Sequence, residues 1–289
     1  MTEPETRILS TPDVDLAVHD WGGDGAPVLL AHPTGFHGVV WAPVASILRS
    51  AGRHPWSFDF RGHGRSGRAP AGYAWNGFAD DVLAVTRGLD LAGNPDLLAW
   101  GHSKGAAALL LAEAREPGTY PRVYAFEPII FPGPMGPSDN PLSRGARKRR
   151  AVWDSRDEAR ASYASRPPLN ALAPSALDAY VDYGLRDRAE GGVALACLPA
   201  DEAEIYSTAL DADVFPKLAR IRARVVVACG GLTDAIGPDL ARVIAAELPH
   251  GSVEVFPGLG HFGPLEDPET VTAAALRFAA TDTEPRGCA

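Results

Sequence analysis

The feature that most restricts how this chain folds is the stretch Trp100-Gly101-His102-Ser103-Lys104-Gly105-Ala106. The residues before it, Asp96-Leu97-Leu98-Ala99-Trp100, read as a short buried strand. The run from Ala106 to Ala112 is rich in Ala and Leu and reads as a helix. A strand that turns into a helix within so few residues leaves room only for small neighbours, which Gly101 and Gly105 supply. Such a turn pushes the serine hydroxyl out over the sheet edge and aims backbone N–H groups at the same spot, the geometry of a nucleophile elbow. Ser103 is therefore the candidate nucleophile.

The rest of the chain repeats the strand–helix rhythm. Residues 14–21 (VDLAVHDW) alternate apolar and polar, so an edge strand is expected to open the sheet there. Short apolar runs at 27–31 and 56–60 end in turn chemistry (HPTGFHG and RGHGRSG), with a helical stretch at 41–51 between them. A helix near 76–91 and a strand at 123–126 flank the elbow unit. The pattern returns at 224–229, 238–248, 253–256 and 268–280 as strand, helix, strand, helix. Alternation of this kind implies a mostly parallel, doubly wound α/β sheet. Residues 132–212 break the rhythm: FPGPMGPSDNP is a linker, and charged helical segments follow near 143–164, 174–187 and 199–208. The organisation expected is an α/β core from 1–131 and 213–289 with a helical cap inserted at 132–212. The tail TDTEPRGCA reads as a frayed end.

Bulk properties narrow the partners. A length of 289 residues suits one large domain carrying an insertion. Lys and Arg number 27 against 36 Asp and Glu, and the resulting net charge of −9 would repel a phosphate backbone, so no nucleic-acid partner is expected. Arg144, Arg147, Lys148, Arg149 and Arg150 run against that trend and read as a solvated helix face paired with acids elsewhere. No apolar run approaches the ~18 residues of a membrane span, and MTEPETRILS lacks the apolar core of a secretory signal, so a cytoplasmic protein with no membrane partner is expected. Cys197, Cys229 and Cys288 are too widely spaced for a disulfide framework or a metal knuckle, and Cys229 reads as core filling.

Several separated motifs, in matching order over nearly the whole length, resemble those of a capped α/β-hydrolase. His32-Pro33-Thr34-Gly35, followed by Trp41, is similar to the family's His-Gly-x-x loop after the third strand, with proline in place of the usual glycine. The resemblance implies an oxyanion hole formed by the N–H groups of Thr34 and of Lys104, the residue after the nucleophile. Asp59-Phe60-Arg61-Gly62-His63-Gly64-Arg65-Ser66 matches a stretch whose role is structural. A serine hydroxyl needs a base to take its proton, and His261, on the loop PGLGHF after the last strand, fits both that role and the family's chain order.

A carboxylate must hold that imidazole. Gly231-Leu232-Thr233-Asp234-Ala235-Ile236-Gly237-Pro238 resembles the family's usual acid loop and makes Asp234 the first choice. Glu127, where the strand after the nucleophile helix ends, is the alternative, since some relatives carry their acid there. Three further residues stay open. The Lys104 side chain either adds positive potential near the oxyanion or points into solvent, the simpler placement. His37 lines the pocket mouth or is a plain loop residue. Trp153, with Tyr163, Tyr180, Tyr183 and Tyr206, lines a substrate cavity or packs the cap, and packing is the choice for most. His32 and His37 have no third ligand at suitable spacing, so neither metal nor cofactor is expected.

The serine rules out the aspartyl-ester chemistry of some relatives and favours acyl transfer. The resemblance implies a hydrolase of a small or medium ester or lactone. Cleavage or formation of a carbon–carbon bond by the same triad, or ligand binding on a vestigial triad, are the alternatives.

Overall fold

The computed structural model describes residues 3–69, 71–133, 136–209 and 213–281. Its first half contains strands β1 (Glu5–Leu9), β2 (Leu16–Asp20), β3 (Pro27–Ala31), β4 (His54–Phe58), β5 (Leu98–His102) and β6 (Arg122–Phe126), with helices α1 (Ala42–Ser50), α2 (Trp75–Gly88) and α3 (Lys104–Arg115) between them. Next come α4 (Pro141–Arg147), β7 (Val152–Trp153), α5 (Arg156–Ala164), α6 (Pro174–Gly184), β8 (Leu185–Asp187), β9 (Val193–Leu195) and α7 (Pro199–Thr208). The chain then runs through β10 (Arg224–Gly230), α8 (Pro238–Ala246), β11 (Gly251–Phe256), α9 (Gly263–Glu266) and α10 (Pro268–Ala280).

Eight strands form one sheet in the order β1-β2-β4-β3-β5-β6-β10-β11. From β4 to β11 all neighbours are parallel, and β2 runs the opposite way, antiparallel to both of its neighbours, β1 and β4. One apolar layer packs α2, α3 and α8 on one face, and a second packs α1, α10 and α6 on the other, so the sheet is doubly wound as expected. The expected edge strand at 14–21 lies second from the edge. β1 pairs beyond it, with Arg7 opposite Val18. With a single neighbour and mostly exposed side chains, β1 has little hydrophobic periodicity to announce it.

Cap chemistry places the helix starts. The side chains of Asn140, Ser155 and Asp267 accept from the N–H groups of Ser143, Glu158 and Thr270, and prolines open α4 and α10. β6 and β10 are adjacent and in register, Val123 beside Val225, so every element from α4 to α7 leaves and rejoins the sheet between two neighbouring strands. Those elements include a small sheet, β7-β9-β8, that the sequence reading lacked, because two- and three-residue strands are too short to show a period. Cys197 and Cys229 are buried free thiols, Cys229 in the layer under α3. Cys288 and nearly all of the tail expected to fray lie outside the described residues. Among the described residues no helix is long and apolar enough to cross a membrane.

Candidate active site

Ser103 sits where β5 gives way to α3, with φ 56° and ψ −119°. An L-residue adopts such angles only when its surroundings force them. The forcing comes from close packing: a Cβ built on Gly105 would lie 2.2 Å from the Ala31 carbonyl oxygen, and one on Gly101 2.5 Å from the Ala106 backbone. The Ser103 N–H donates to the Phe126 carbonyl at 2.8 Å, tying the elbow to the end of β6.

One residue past that tie, Glu127 is also at positive φ, 45°. Its buried carboxylate accepts from His261 Nδ1 at 2.6 Å, the Thr233 hydroxyl at 2.8 Å and the Gly230 N–H at 3.0 Å. Donation from Nδ1 fixes the tautomer and leaves His261 Nε2 as the acceptor. His261 is held from a second side: its carbonyl accepts from His102 Nε2 at 2.8 Å, and the two rings are 5.0 Å apart. His102, immediately before Ser103, was not singled out from the sequence. Its position in the Gly-His-Ser stretch was the signal available.

Asp234, the first choice of acid, is not the carboxylate that meets His261 in the structure. Asp234 is exposed and makes no hydrogen bond or ion pair among the described residues, and the imidazole pairs with Glu127 instead. The loop after β10 does reach the site, but it presents Thr233 and backbone N–H groups, which are donors to Glu127. A second carboxylate in that seat would face the first with no cation between them.

Lys104 opens α3, where a backbone N–H has no acceptor within its own helix, and the Thr34 N–H makes no hydrogen bond among the described residues. The loop carrying Thr34 is held by neutral imidazoles. His32 donates from Nδ1 to the Pro33 carbonyl and accepts the Phe60 N–H at Nε2, while His63 donates to the Arg61 carbonyl and accepts the Gly35 N–H. Burial, with the Lys104 charge nearby, pushes both rings well below the usual histidine range.

A cavity of about 400 Å³ opens beside this loop. Thr34, from the loop after β3, and Phe262, next to His261, belong to its wall, whereas Ser103 and His261 themselves do not. Trp153 lines it, as do Tyr163, Tyr180 and Tyr206, while Trp153, Tyr180 and Tyr163 also pack in the apolar layer. Tyr183 is the exception: its hydroxyl donates to Asp59 at 3.0 Å.

A family model described as the alpha/beta hydrolase family matches residues 28–275. The chain belongs to the alpha/beta hydrolase family. Non-heme chloroperoxidase CPO-A1 of Kitasatospora aureofaciens is 28% identical over 198 residues, 64% of this chain and 70% of that relative. A non-heme chloroperoxidase of Streptomyces lividans is 31% identical over 140 residues, 47% of this chain, so the match spans about half of that relative's length. Among solved structures, an E-2-(acetamidomethylene)succinate hydrolase superposes with a TM-score of 0.81 at 22% identity, covering 96% of this chain and all of that one.

Two basic residues of this alpha/beta hydrolase lie elsewhere than expected. The Lys104 side chain, placed in solvent by the simpler reading, is fully buried. Its Nζ lies 4.1 Å from the Phe60 ring centre and 4.6 Å from that of Phe78, and among the described residues donates to His63 Nε2 alone, at 3.4 Å. Desolvation pulls its pKa down to about 7, against the pull of Asp81, Asp59 and Glu202. His37 is not at the pocket mouth: it is buried, donates from Nε2 to the Tyr180 carbonyl at 3.1 Å, and burial lowers its pKa to about 4. The adjoining Asp59 accepts from the Gly38 and Arg65 N–H groups, as a structural role for its motif requires. Burial works to raise its pKa, but His19 at 3.2 Å and these donors hold it down at about 2.

Proposed function

We propose that the protein is a serine hydrolase that opens a small or medium ester or lactone through an acyl-enzyme on Ser103. The Ser103 oxygen attacks the carbonyl while His261 Nε2 takes its proton and delivers it to the departing alkoxide. Water then attacks the acyl-enzyme with His261 again as base, and Ser103 is released protonated. Glu127 keeps Nδ1 protonated and stabilises the imidazolium that forms in each half of the cycle. The N–H groups of Thr34 and Lys104 bind the oxyanion, and losing one such donor costs roughly 3–4 kcal/mol of transition-state stabilisation. Every proton in the cycle moves between side chains, substrate and water. The core of 1–131 and 213–289 carries this machinery, and the cap of 132–212, with Trp153, covers the small-molecule cavity.

One observation carries this reading: a base–acid pair at 2.6 Å, its imidazole in tilted contact with the residue that precedes a serine at φ 56°. The test is intact mass after treatment with a fluorophosphonate. A single adduct on the wild type that is absent from Ser103→Ala is expected. An adduct that persists in Ser103→Ala, or none on folded wild type, overturns it.

A further inference from the structure

The cavity wall is positive although the chain carries net charge −9. Three guanidinium groups, Arg149, Arg150 and Arg166, line it against one carboxylate, Glu202. Two of the three are already satisfied. Arg149 pairs with Glu202 at 2.5 Å and donates to the Tyr180 hydroxyl, and Arg150 pairs with Glu158 at 2.6 Å. Arg166 is exposed, and it has no carboxylate and no side-chain hydrogen bond among the described residues, so it is the guanidinium of this wall left for a ligand or water.

A second observation points the same way. Trp153 Nε1 and the Tyr163 hydroxyl, both on residues of this wall, are buried without a hydrogen-bond partner. The guanidinium and the indole N–H only donate and the Tyr163 hydroxyl is able to donate, so an acceptor-rich group complements them. A single unpaired guanidinium balances one negative charge, so the planar, singly charged carboxylate fits better than a phosphate dianion.

We propose that the cavity selects substrates whose acyl part ends in a carboxylate, which Arg166 binds. This rests on the acyl-enzyme reading above and names its substrate class: half-esters or lactone acids rather than neutral esters. Thr34 lies in the same wall, so a substrate anchored by its carboxylate at Arg166 carries its ester carbonyl toward the oxyanion loop. The binding charge is used at a distance from the reacting bond, where it acts on orientation and KM.

The experiment compares p-nitrophenyl hemisuccinate with p-nitrophenyl valerate, chains of similar length that differ in the terminal charge. Wild type is expected to prefer the hemisuccinate about tenfold or more in kcat/KM, through KM, as one charge-assisted hydrogen bond requires. Arg166→Gln is expected to cut that ratio about tenfold, and Arg166→Lys to restore part of it. No preference in the wild type, or a ratio that Arg166→Gln leaves unmoved, overturns the proposal.

Calorimetric binding of monomethyl succinate and methyl valerate to Ser103→Ala separates the two readings, because it needs no turnover. Tighter binding of the succinate, lost with Arg166→Gln, supports the carboxylate site even if no ester is hydrolysed. Equal binding sinks the site even if Ser103 is labelled by the fluorophosphonate.

Discussion

Lys104 gives the sharpest test of the buried electrostatics beneath the elbow. Replacing it by methionine keeps the chain length and apolar stem but removes a group whose pKa falls from an ordinary 10.5 to about 7 on folding. The unfolded lysine holds its proton up to about 10.5, whereas the folded one releases it near 7. Within that window the unfolded state binds more protons, so wild-type stability rises with pH. Each pH unit of full difference is worth about 1.4 kcal/mol. Between pH 7, where the folded lysine is half titrated, and pH 9, where it is neutral, the wild type gains about 2 kcal/mol from this group. Lys104→Met carries no such proton. Urea unfolding of both proteins at pH 7 and pH 9 therefore isolates the term, because groups that Lys104 does not touch cancel in the difference, and burial keeps its neighbours His32 and His63 neutral at both pH values. The methionine variant is expected to be the more stable at pH 7, and its advantage to shrink by about 2 kcal/mol at pH 9. A difference constant to within about 0.5 kcal/mol would mean the ammonium stays charged in place, held by Asp81, Asp59 and Glu202, and the reasoning would fail.

The other expectations concern the acid and the elbow. Glu127→Gln is expected to lower kcat by about 10³-fold or more, since the amide no longer holds the His261 tautomer, while Asp234→Asn stays within about twofold. Steady-state rates on one ester decide it, and the reverse ranking refutes the assignment. Gly105→Ala forces a methyl to within 2.2 Å of the Ala31 carbonyl, a backbone atom that cannot step aside. A loss of about 3 kcal/mol in denaturant unfolding is expected, and a near-neutral variant would show that the elbow tolerates expansion there.

Much of the frame was legible because its signals are local. The Gly101–Gly105 spacing places the elbow directly, since both glycines are required by contacts within the strand–turn–helix unit and with Ala31 of β3. The last helix follows the expected 268–280, because Asp267 and Pro268 are a cap and a first-turn residue by their own chemistry. β1 was missed for the opposite reason: it is specified by its pairing with β2 more than by any pattern of its own. Lys104 was misplaced because a lysine is charged and exposed by default. Only the fold shows that Phe60 and His63 of the glycine-rich turn and Phe78 of α2 close around it. Arg149 illustrates the same limit, since a basic run reads as one surface although its members part company: Arg144 and Arg147 meet Asp139 outside, while Arg149 turns inward to Glu202.

The acid was the hardest residue to read, and the reason is geometric. β6 and β10 are adjacent parallel strands, so the loops at their ends converge on one point, and a carboxylate from either can meet a histidine brought from the far side of β11. The sequence places an acid at each end, and the only ranking it offers is the resemblance that favours Asp234. In the fold the ranking comes from who donates to whom. Glu127, turned at φ 45°, takes the Gly230 N–H, the Thr233 hydroxyl and the His261 ring at once. The loop that resembles the usual acid loop thereby supports the Glu127 carboxylate. Its Thr233 is the telling residue, because a hydroxyl one position before Asp234 satisfies a carboxylate that arrives from β6, and that leaves Asp234 free to face solvent.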